Sequence, residues 1–287
     1  VTGPTPSRLL IVNADDYGLT KGVCRAIVTG HREGIVTSTS ALALAPAFAS
    51  CAAWLDDVPG LGVGVHLAIV GEDRPLLSAA EIPTLVDQQG RLAGSWRQLL
   101  PRFVMRRVDL ADVEREFAAQ FDLVQSTVGS DRITHLDTHQ HLHLWPAVGE
   151  LVCRLAVRWH VPAVRVTRSE GRSARGRVVN RLAARFDAKA AHVGLRAPSA
   201  FAGFDEAGGL ASDTLVAAIS RLGASGAATA EIGVHPGERA DDDLARYDWG
   251  YRWGDELDAL TSSEVRATVT RCGFTLGSFA ALDAVAT

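Results

Sequence analysis

The sequence predicts an α/β fold, a single (β/α) barrel that is incomplete or distorted. Three features carry that expectation. Apolar runs of strand length alternate with helical spacing along most of the chain, and such alternation calls for parallel strands joined by right-handed crossovers. Several runs end in polar residues, as in RLLIVNAD and LGVGVHLAIV, and barrels of this type carry their working residues at the C-terminal strand ends. The 287 residues suit one such domain, for which roughly 200–250 residues or more is usual. The expected division is a flexible lead-in over 1–7 and one domain over 8–287.

RLLIVNAD (8–15) reads as a buried parallel strand with its chemistry at the C-terminal end. KGVCRAIVTGHREG (21–34) has helical spacing and a glycine stop. TSTSALAL (37–44) is a second strand, PAFASCAAWLDDVPG (46–60) a second helix and LGVGVHLAIV (61–70) a third strand. Residues 71–95, with GEDRPLL and DQQGRLAG, read as a loop inserted over the barrel mouth. Helical spacing returns over 95–128, where VDLADVEREFAAQFDLV is strongly amphipathic. RITHLD (132–137) starts the next strand, WPAVGELVCRLAVRWH (145–160) the next helix and AVRVTR (163–168) a further strand. Residues 169–208, rich in Arg, Ala and Gly, carry no assignable period. SDTLVAAISRLGA (212–224) is a helix, TAEIGVHPG (229–237) a strand, and TSSEVRATVTRCG (261–273) a closing helix with a capping signature. No internal repeat is visible.

With 47% hydrophobic and 22% charged residues, the composition is that of an ordinary soluble globular protein. A net charge of −4 and scattered basic residues give no general attraction to nucleic acid. No run approaches the ~20 apolar residues of a membrane span, and VTGPTPSRLL lacks the apolar centre of an export signal. A cytoplasmic address is the expectation. Cys24, Cys51, Cys153 and Cys272 form no CxxC pair and read as single buried thiols rather than a zinc site or a disulfide framework.

The chemistry gathers at strand ends. NADDYG (13–18) sets Asp15 beside Asp16, where one carboxylate can bind a cation while its neighbour polarises a water; an N-cap pair for the next helix is the alternative. His66 in GVHLAI is either a core histidine or a ligand. THLDTHQHLH (134–143) holds four of the nine histidines. As a strand it would put His135, Asp137, His139, His141 and His143 on one face. If extended geometry breaks after Asp137, one or two imidazoles remain at the site. A metal-binding imidazole needs its other nitrogen held by a carboxylate or carbonyl, which Asp137 and the neighbouring histidines can supply. His235 in VHPGE is open as ligand, proton donor or loop residue. Arg165 and Arg168 flank a strand end, placed either to orient a polar substrate or to make surface ion pairs. YDWGYRW (247–253), with Trp249 at its centre, suits sugar stacking or loop packing equally.

Taken together, RLLIVNADDYGL, HREGIVTSTSALA, GVGVHL, THLDTHQHLH, VHPG and ELDALTS…GFTLGSF resemble the YdjC-like carbohydrate deacetylases, from about Arg8 to Phe279. The resemblance implies a distorted (β/α) barrel similar to polysaccharide deacetylases and one divalent metal. It implies Asp16, His66 and His139 as ligands, Asp15 as general base and His235 as the general acid. Zn²⁺ fits two histidines, one carboxylate and an open position, with Mg²⁺, Co²⁺ or Mn²⁺ able to serve. The implied reaction removes an N-acetyl group from an N-acetylglucosamine-type sugar and releases acetate. The expected partner is that amino-sugar, without nucleic acid or a membrane span, and a homodimer is left open. Two rivals stand beside it: a glycoside hydrolase using Asp15 and Asp16 as its pair, and a non-catalytic sugar-binding barrel. Adjacent carboxylates at one strand end suit the first poorly, since flanking a scissile bond needs ~5 Å or more between them.

Overall fold

The computed structural model describes residues 8–171 and 173–285; the lead-in expected over 1–7 lies outside the described residues. Eight strands form one sheet: β1 (Arg8–Tyr17), β2 (Ser38–Ala41), β3 (Gly62–Leu67), β4 (Ile133–Thr138), β5 (Ala163–Val164), β6 (Ala200–Ala202), β7 (Thr229–Val234) and β8 (Phe274–Leu276). The helices are α1 (Lys21–Arg32), α2 (Phe48–Cys51), α3 (Trp96–Val104), α4 (Leu110–Val128) and α5 (Pro146–Arg158). They continue with α6 (Ala174–His192), α7 (Ser212–Ala224), α8 (Trp253–Leu260), α9 (Ser263–Arg271) and α10 (Leu282–Val285). The strand order is β5-β4-β3-β2-β1-β7-β6, with every ladder parallel. β8 pairs with the start of β1, below the point where β2 takes up its upper half.

This sheet curls into a barrel but does not close. Arg165, just after β5, lies 2.7 Å from Glu231 on β7. Those strands are five steps apart in the sheet, which at ~4.8 Å per step would separate them by roughly 24 Å in a flat sheet. Among the described residues no ladder joins β5 to β6, and the seam between them is crossed by an isolated backbone bridge from Ala163 to Arg196. The expected distorted α/β barrel is therefore the observed architecture.

Alternation along the strands sorts the side chains. On β1, Leu10, Val12 and Ala14 join the large core under the helices, whereas Leu9 and Ile11 join a small cluster with Ala163, Phe279 and Leu282. That small cluster plugs the lower lumen. Above it the lumen turns polar, with Asn13, Asp15, Ser40, His135, Asp137, Arg165 and Glu231 all buried. From the helix side, α4 buries Val113, Phe117, Phe121 and Val124, and α5 buries Val148, Leu151, Val152 and Leu155.

Several elements depart from the sequence reading. The helix expected over 46–60 is only α2 and a short 3₁₀ turn over Ala52–Leu55. The strands expected over 37–44 and 163–168 shrink to β2 and β5. The unassigned stretch 169–208 contains α6 and β6, and β8 went unanticipated. Helical spacing over 95–128 resolves into α3 and α4, separated by a corner with Arg106 at φ 55°. Residues 71–95 form no regular element beyond a single bridge from Val70 to Ala93, as expected of a loop. The closing helix α9 is capped by Ser262, which accepts from the Glu264 N–H.

Small residues on β2 and β3 make room for the lumen's polar groups. A Cβ added to Gly64 would lie 2.2 Å from Cε1 of His135, whose ring stacks on Phe279 at 3.7 Å. Gly64→Ala is therefore expected to cost about 1–3 kcal/mol through overpacking. Urea unfolding checks this, and a loss below about 0.5 kcal/mol would contradict the close approach.

Candidate active site

Two adjacent aspartates on a regular strand would face opposite sides of the sheet. β1 avoids this with a register shift between Ala14 and Tyr17, where Asp16 adopts φ 65°. A bulge of this kind re-aims side chains. Both carboxylates consequently reach the upper lumen, and they separate there into two environments. Neither caps α1, whose N-cap is Thr20, accepting from Val23.

Asp16 faces two imidazoles. Its Oδ1 lies 3.2 Å from Nδ1 of His139 and 3.5 Å from Nε2 of His66, and those nitrogens are 3.3 Å apart. His66 comes from the end of β3, and His139 from the residue that follows β4. On its other side His66 meets Asp137, with Nδ1 2.7 Å from Oδ1. A proton on Nδ1 satisfies that contact and makes Nε2 the atom offered toward Asp16, the arrangement by which carboxylates orient metal-binding histidines. Asp16 Oδ1 is buried and has no hydrogen-bond donor. Four-coordinate bonds of ~2.1 Å place neighbouring ligand atoms ~3.4 Å apart, close to the three separations observed. The donor set therefore fits one divalent cation. A second grouping, Asp15 with His66 and Asp137, is also compact, but the Arg165 guanidinium contacts both of its carboxylates and opposes a cation there.

Asp15 belongs to that guanidinium. Arg165 donates from Nη1 and Nη2 to the two oxygens of Asp15, at 2.6 and 2.7 Å. Its Nη1 also lies 2.7 Å from Asp137 Oδ2, and its Nε donates to Glu231 at 2.7 Å. Asn13 donates to Asp15 Oδ1 and to Ser40 Oγ, each at 2.8 Å, and Ser40 donates to Asp137 at 2.8 Å. A closed ring of hydrogen bonds, completed by the Arg165–Asp137 ion pair, thus runs from Asp15 to Asp137 and back. The remaining lone pair of Asp15 is on Oδ2, which lies 3.9 Å from Nε2 of His235. Glu256 accepts the backbone N–H of His235, and Tyr251 packs edge-on against the imidazole at 4.9 Å.

Electrostatics follow from these contacts. Burial pushes the Asp15 and Asp137 carboxyls up, but the Arg165 guanidinium and the His66 ring together outweigh it and hold both below the ordinary range. Burial likewise opposes charge on Asp16, and the His139 and His66 rings hold it low. His66 is disfavoured as a cation by burial, yet Asp137 and the two aspartates of β1 raise it to about 9. It is a strong acceptor for a proton or a metal. Burial drives His135 and His143 down to about 3 and His141 well below the ordinary imidazole range, so these three stay neutral.

The histidine cluster divides because extended geometry ends at Thr138. Gln140 and His141 adopt φ 52° and 55°, turning the chain away from the site. Only His139 joins Asp16 and His66. His143 sits against Thr138 and Thr167, and His141 against Thr167, Phe201 and Phe204. A cavity of about 350 Å³ lies behind His143, between α5 and α6, and no member of the Asp16 cluster lines it. Arg165 is fully buried, which removes the surface ion pair left open for it, whereas Arg168 does pair at the surface with Asp187. Trp249 tilts against His139 at 5.4 Å and donates to Glu72, while Asp73 accepts from Arg246 and Tyr247. The 71–95 loop thereby meets the aromatic stretch across the mouth. Sequence reasoning missed Asn13, Ser40 and Glu231. Glu231 left a signal, a lone carboxylate in the apolar strand TAEIGV at even spacing from His235.

A family model described as YdjC-like protein matches residues 9–271. This chain belongs to the YdjC-like family. Among its relatives, a chitooligosaccharide deacetylase from Serratia marcescens is 30% identical, covering 95% of this chain and 98% of that protein. A carbohydrate deacetylase from Brevibacillus brevis is 35% identical over 153 residues, 53% of this chain and 57% of that protein. Among solved structures, a candidate cellobiose-phosphate cleavage protein of Enterococcus faecalis V583 superposes with a TM-score of 0.78 at 26% identity, covering 96% and 99% of the two chains. Among the described residues no helix is long and apolar enough to cross a membrane.

If the YdjC-like cluster holds a divalent ion, Asp16→Ala and His66→Ala should abolish tight binding of Zn²⁺. Asp137→Ala should weaken it by ~10–100-fold through the lost orientation of His66, and His143→Ala should leave it unchanged. Titration calorimetry with Zn²⁺ decides. Retained binding in Asp16→Ala, or loss in His143→Ala, would refute the ligand set.

Proposed function

We propose that the protein is a metal-dependent carbohydrate N-deacetylase, hydrolysing the acetamide of an N-acetylglucosamine-type sugar to acetate and the free amine. One observation carries the reading. The Asp16–His66–His139 donor set sits beside a carboxylate oxygen of Asp15 and an imidazole nitrogen of His235, on separate strands of one barrel end. The names of the Serratia and Brevibacillus relatives supply the substrate class.

A divalent ion held by Asp16, His66 and His139 would supply Lewis-acid polarisation of the carbonyl and a water of lowered pKa. The two nitrogens and one oxygen favour Zn²⁺, with Mg²⁺, Co²⁺ or Mn²⁺ as alternatives. The protein's own residues do the rest. Asp15, kept anionic by Arg165, accepts the proton of the attacking water at Oδ2. His235 delivers a proton from Nε2 to the amine as the C–N bond breaks, because an amide nitrogen leaves poorly until protonated. Trp249 offers an aromatic face beside His139 for the sugar ring. A glycosidase reading loses support here, since Asp16 faces two imidazoles rather than an open flank of the cleft.

Acetate release from N-acetylglucosamine, chitooligosaccharides and N-acetylglucosaminyl conjugates, with each metal in turn, tests the activity. Reducing sugar without acetate would favour a glycosidase, and neither product a binding protein. Asp15→Asn should keep the metal and lose turnover by ~10²-fold or more.

His235→Ala should lower kcat by ~10²–10⁴-fold with KM and metal content nearly unchanged. A variant that loses its metal would make His235 a ligand, and one with full activity would place the acid elsewhere.

A further inference from the structure

Glu231 stands where a charge is costly. It is fully buried in the middle of β7, opposite Ile11 of β1 and Phe201 of β6. Its Oε1 accepts from Arg165 Nε at 2.7 Å, while its Oε2 is buried without a hydrogen-bond partner. Three carboxylates, Asp15, Asp137 and Glu231, share one guanidinium. An apolar residue at 231 would relieve that crowding and desolvation. The strand nevertheless carries a glutamate, and its reach decides what it does.

Arg165 has one degree of freedom that Asp15 and Asp137 leave loosely set. Both draw on the Nη edge of the guanidinium, and a planar fork held at one edge can rock about its long axis. The contact at Nε comes from the opposite wall of the barrel and supplies the third point that fixes the plane. With the plane fixed, the Nη edge meets both Asp15 oxygens at once, and the one free lone pair of Oδ2 keeps its aim toward His235. We propose that Glu231 is a positioning residue of the deacetylase site, aligning the Asp15 carboxylate for proton transfer by holding Arg165 at Nε. The proposal rests on the deacetylase reading for its consequence in catalysis, but not for the geometry. Burial raises the Glu231 carboxyl to about 7, against the pull of Arg165. The contact uses a single oxygen, which an amide carbonyl at the same reach would also offer.

Two substitutions separate reach from charge. Glu231→Gln keeps a carbonyl oxygen at the same reach and removes the charge. Glu231→Asp keeps the charge but is one methylene too short to meet Nε at the present backbone spacing. Steady-state acetate release and metal content are measured for both, with folding checked by circular dichroism. The expected result is a Gln variant within about 3-fold of the parent. The Asp variant should lose ~10–100-fold in kcat with KM and metal content unchanged, as displaced catalytic groups do. The reverse order, equal loss in both, no loss in either, or a loss of metal would overturn the proposal. Should Glu231→Asp fail to fold, Glu231→Met provides the arm that lacks an acceptor. A second readout needs no turnover. In ¹⁵N-arginine-labelled protein the Arg165 Nε–H signal should be downfield and slow to exchange in the parent and Gln proteins and should lose both properties in Asp. An unprotected Nε–H in the parent would overturn the proposal, whereas a protected one in a protein that releases no acetate would overturn the deacetylase reading alone.

Discussion

A guanidinium sealed from water is the constraint on which the rest of this structure depends. Arg165 has no exposed surface, so its charge must be met entirely by protein groups. They arrive from three different strands, Asp15 from β1, Asp137 from β4 and Glu231 from β7. Such a cluster adds little net stability over an apolar filling. What it does is penalise any register that leaves one member unpaired, because a buried charge stripped of its partner costs roughly 3–5 kcal/mol. The parallel ladders set the spacing of neighbouring strands, and the cluster sets how far the sheet must curl.

The same interaction ties two chemical roles into one frame. Asp137 receives Arg165 on one oxygen and His66 on the other, while Asp15 is linked back to Asp137 through Asn13 and Ser40. The proton acceptor and the histidine that would hold a cation therefore share a single hydrogen-bonded support. The neutral His135 and His143 complete that support as hydrogen-bonding ring packing, without adding charge to a region already rich in it.

Much of this was legible in the sequence because strand alternation is short-range. The pairing of apolar residues with the helices and of Asn13, Asp15, His66, His135 and Asp137 with the lumen follows from a period of two. The barrel follows in turn, whereas Asp16 joins His66 and His139 only through the irregularity of β1 after Ala14. The less legible parts are those set by tertiary contacts. β6 and β8 have only three residues each, too few for a pattern, and α6 lies in a stretch whose charge obscures its apolar face. The turn at Gln140 and His141 adopts a left-handed conformation that neither residue type demands, so the sequence left both outcomes for the histidine cluster open. The enclosure of Arg165 was hidden from the sequence for a related reason. An arginine at the end of a short strand looks exposed until the three carboxylates that enclose it are known from the fold.

The seam between β5 and β6 gives this barrel an unusual mechanical character. In a closed barrel the circumference is dictated by strand number and shear, and side chains can only decorate it. Here, among the described residues, a single backbone bridge between Ala163 and Arg196 crosses the lower part of the gap, and above it the span from β5 to β7 is met by one arginine side chain and one glutamate. The diameter of the catalytic end is thus set in part by side chains as well as by the backbone. Residues deep in the lumen, such as Glu231, therefore bear on the width of the mouth as well as the surface loops do.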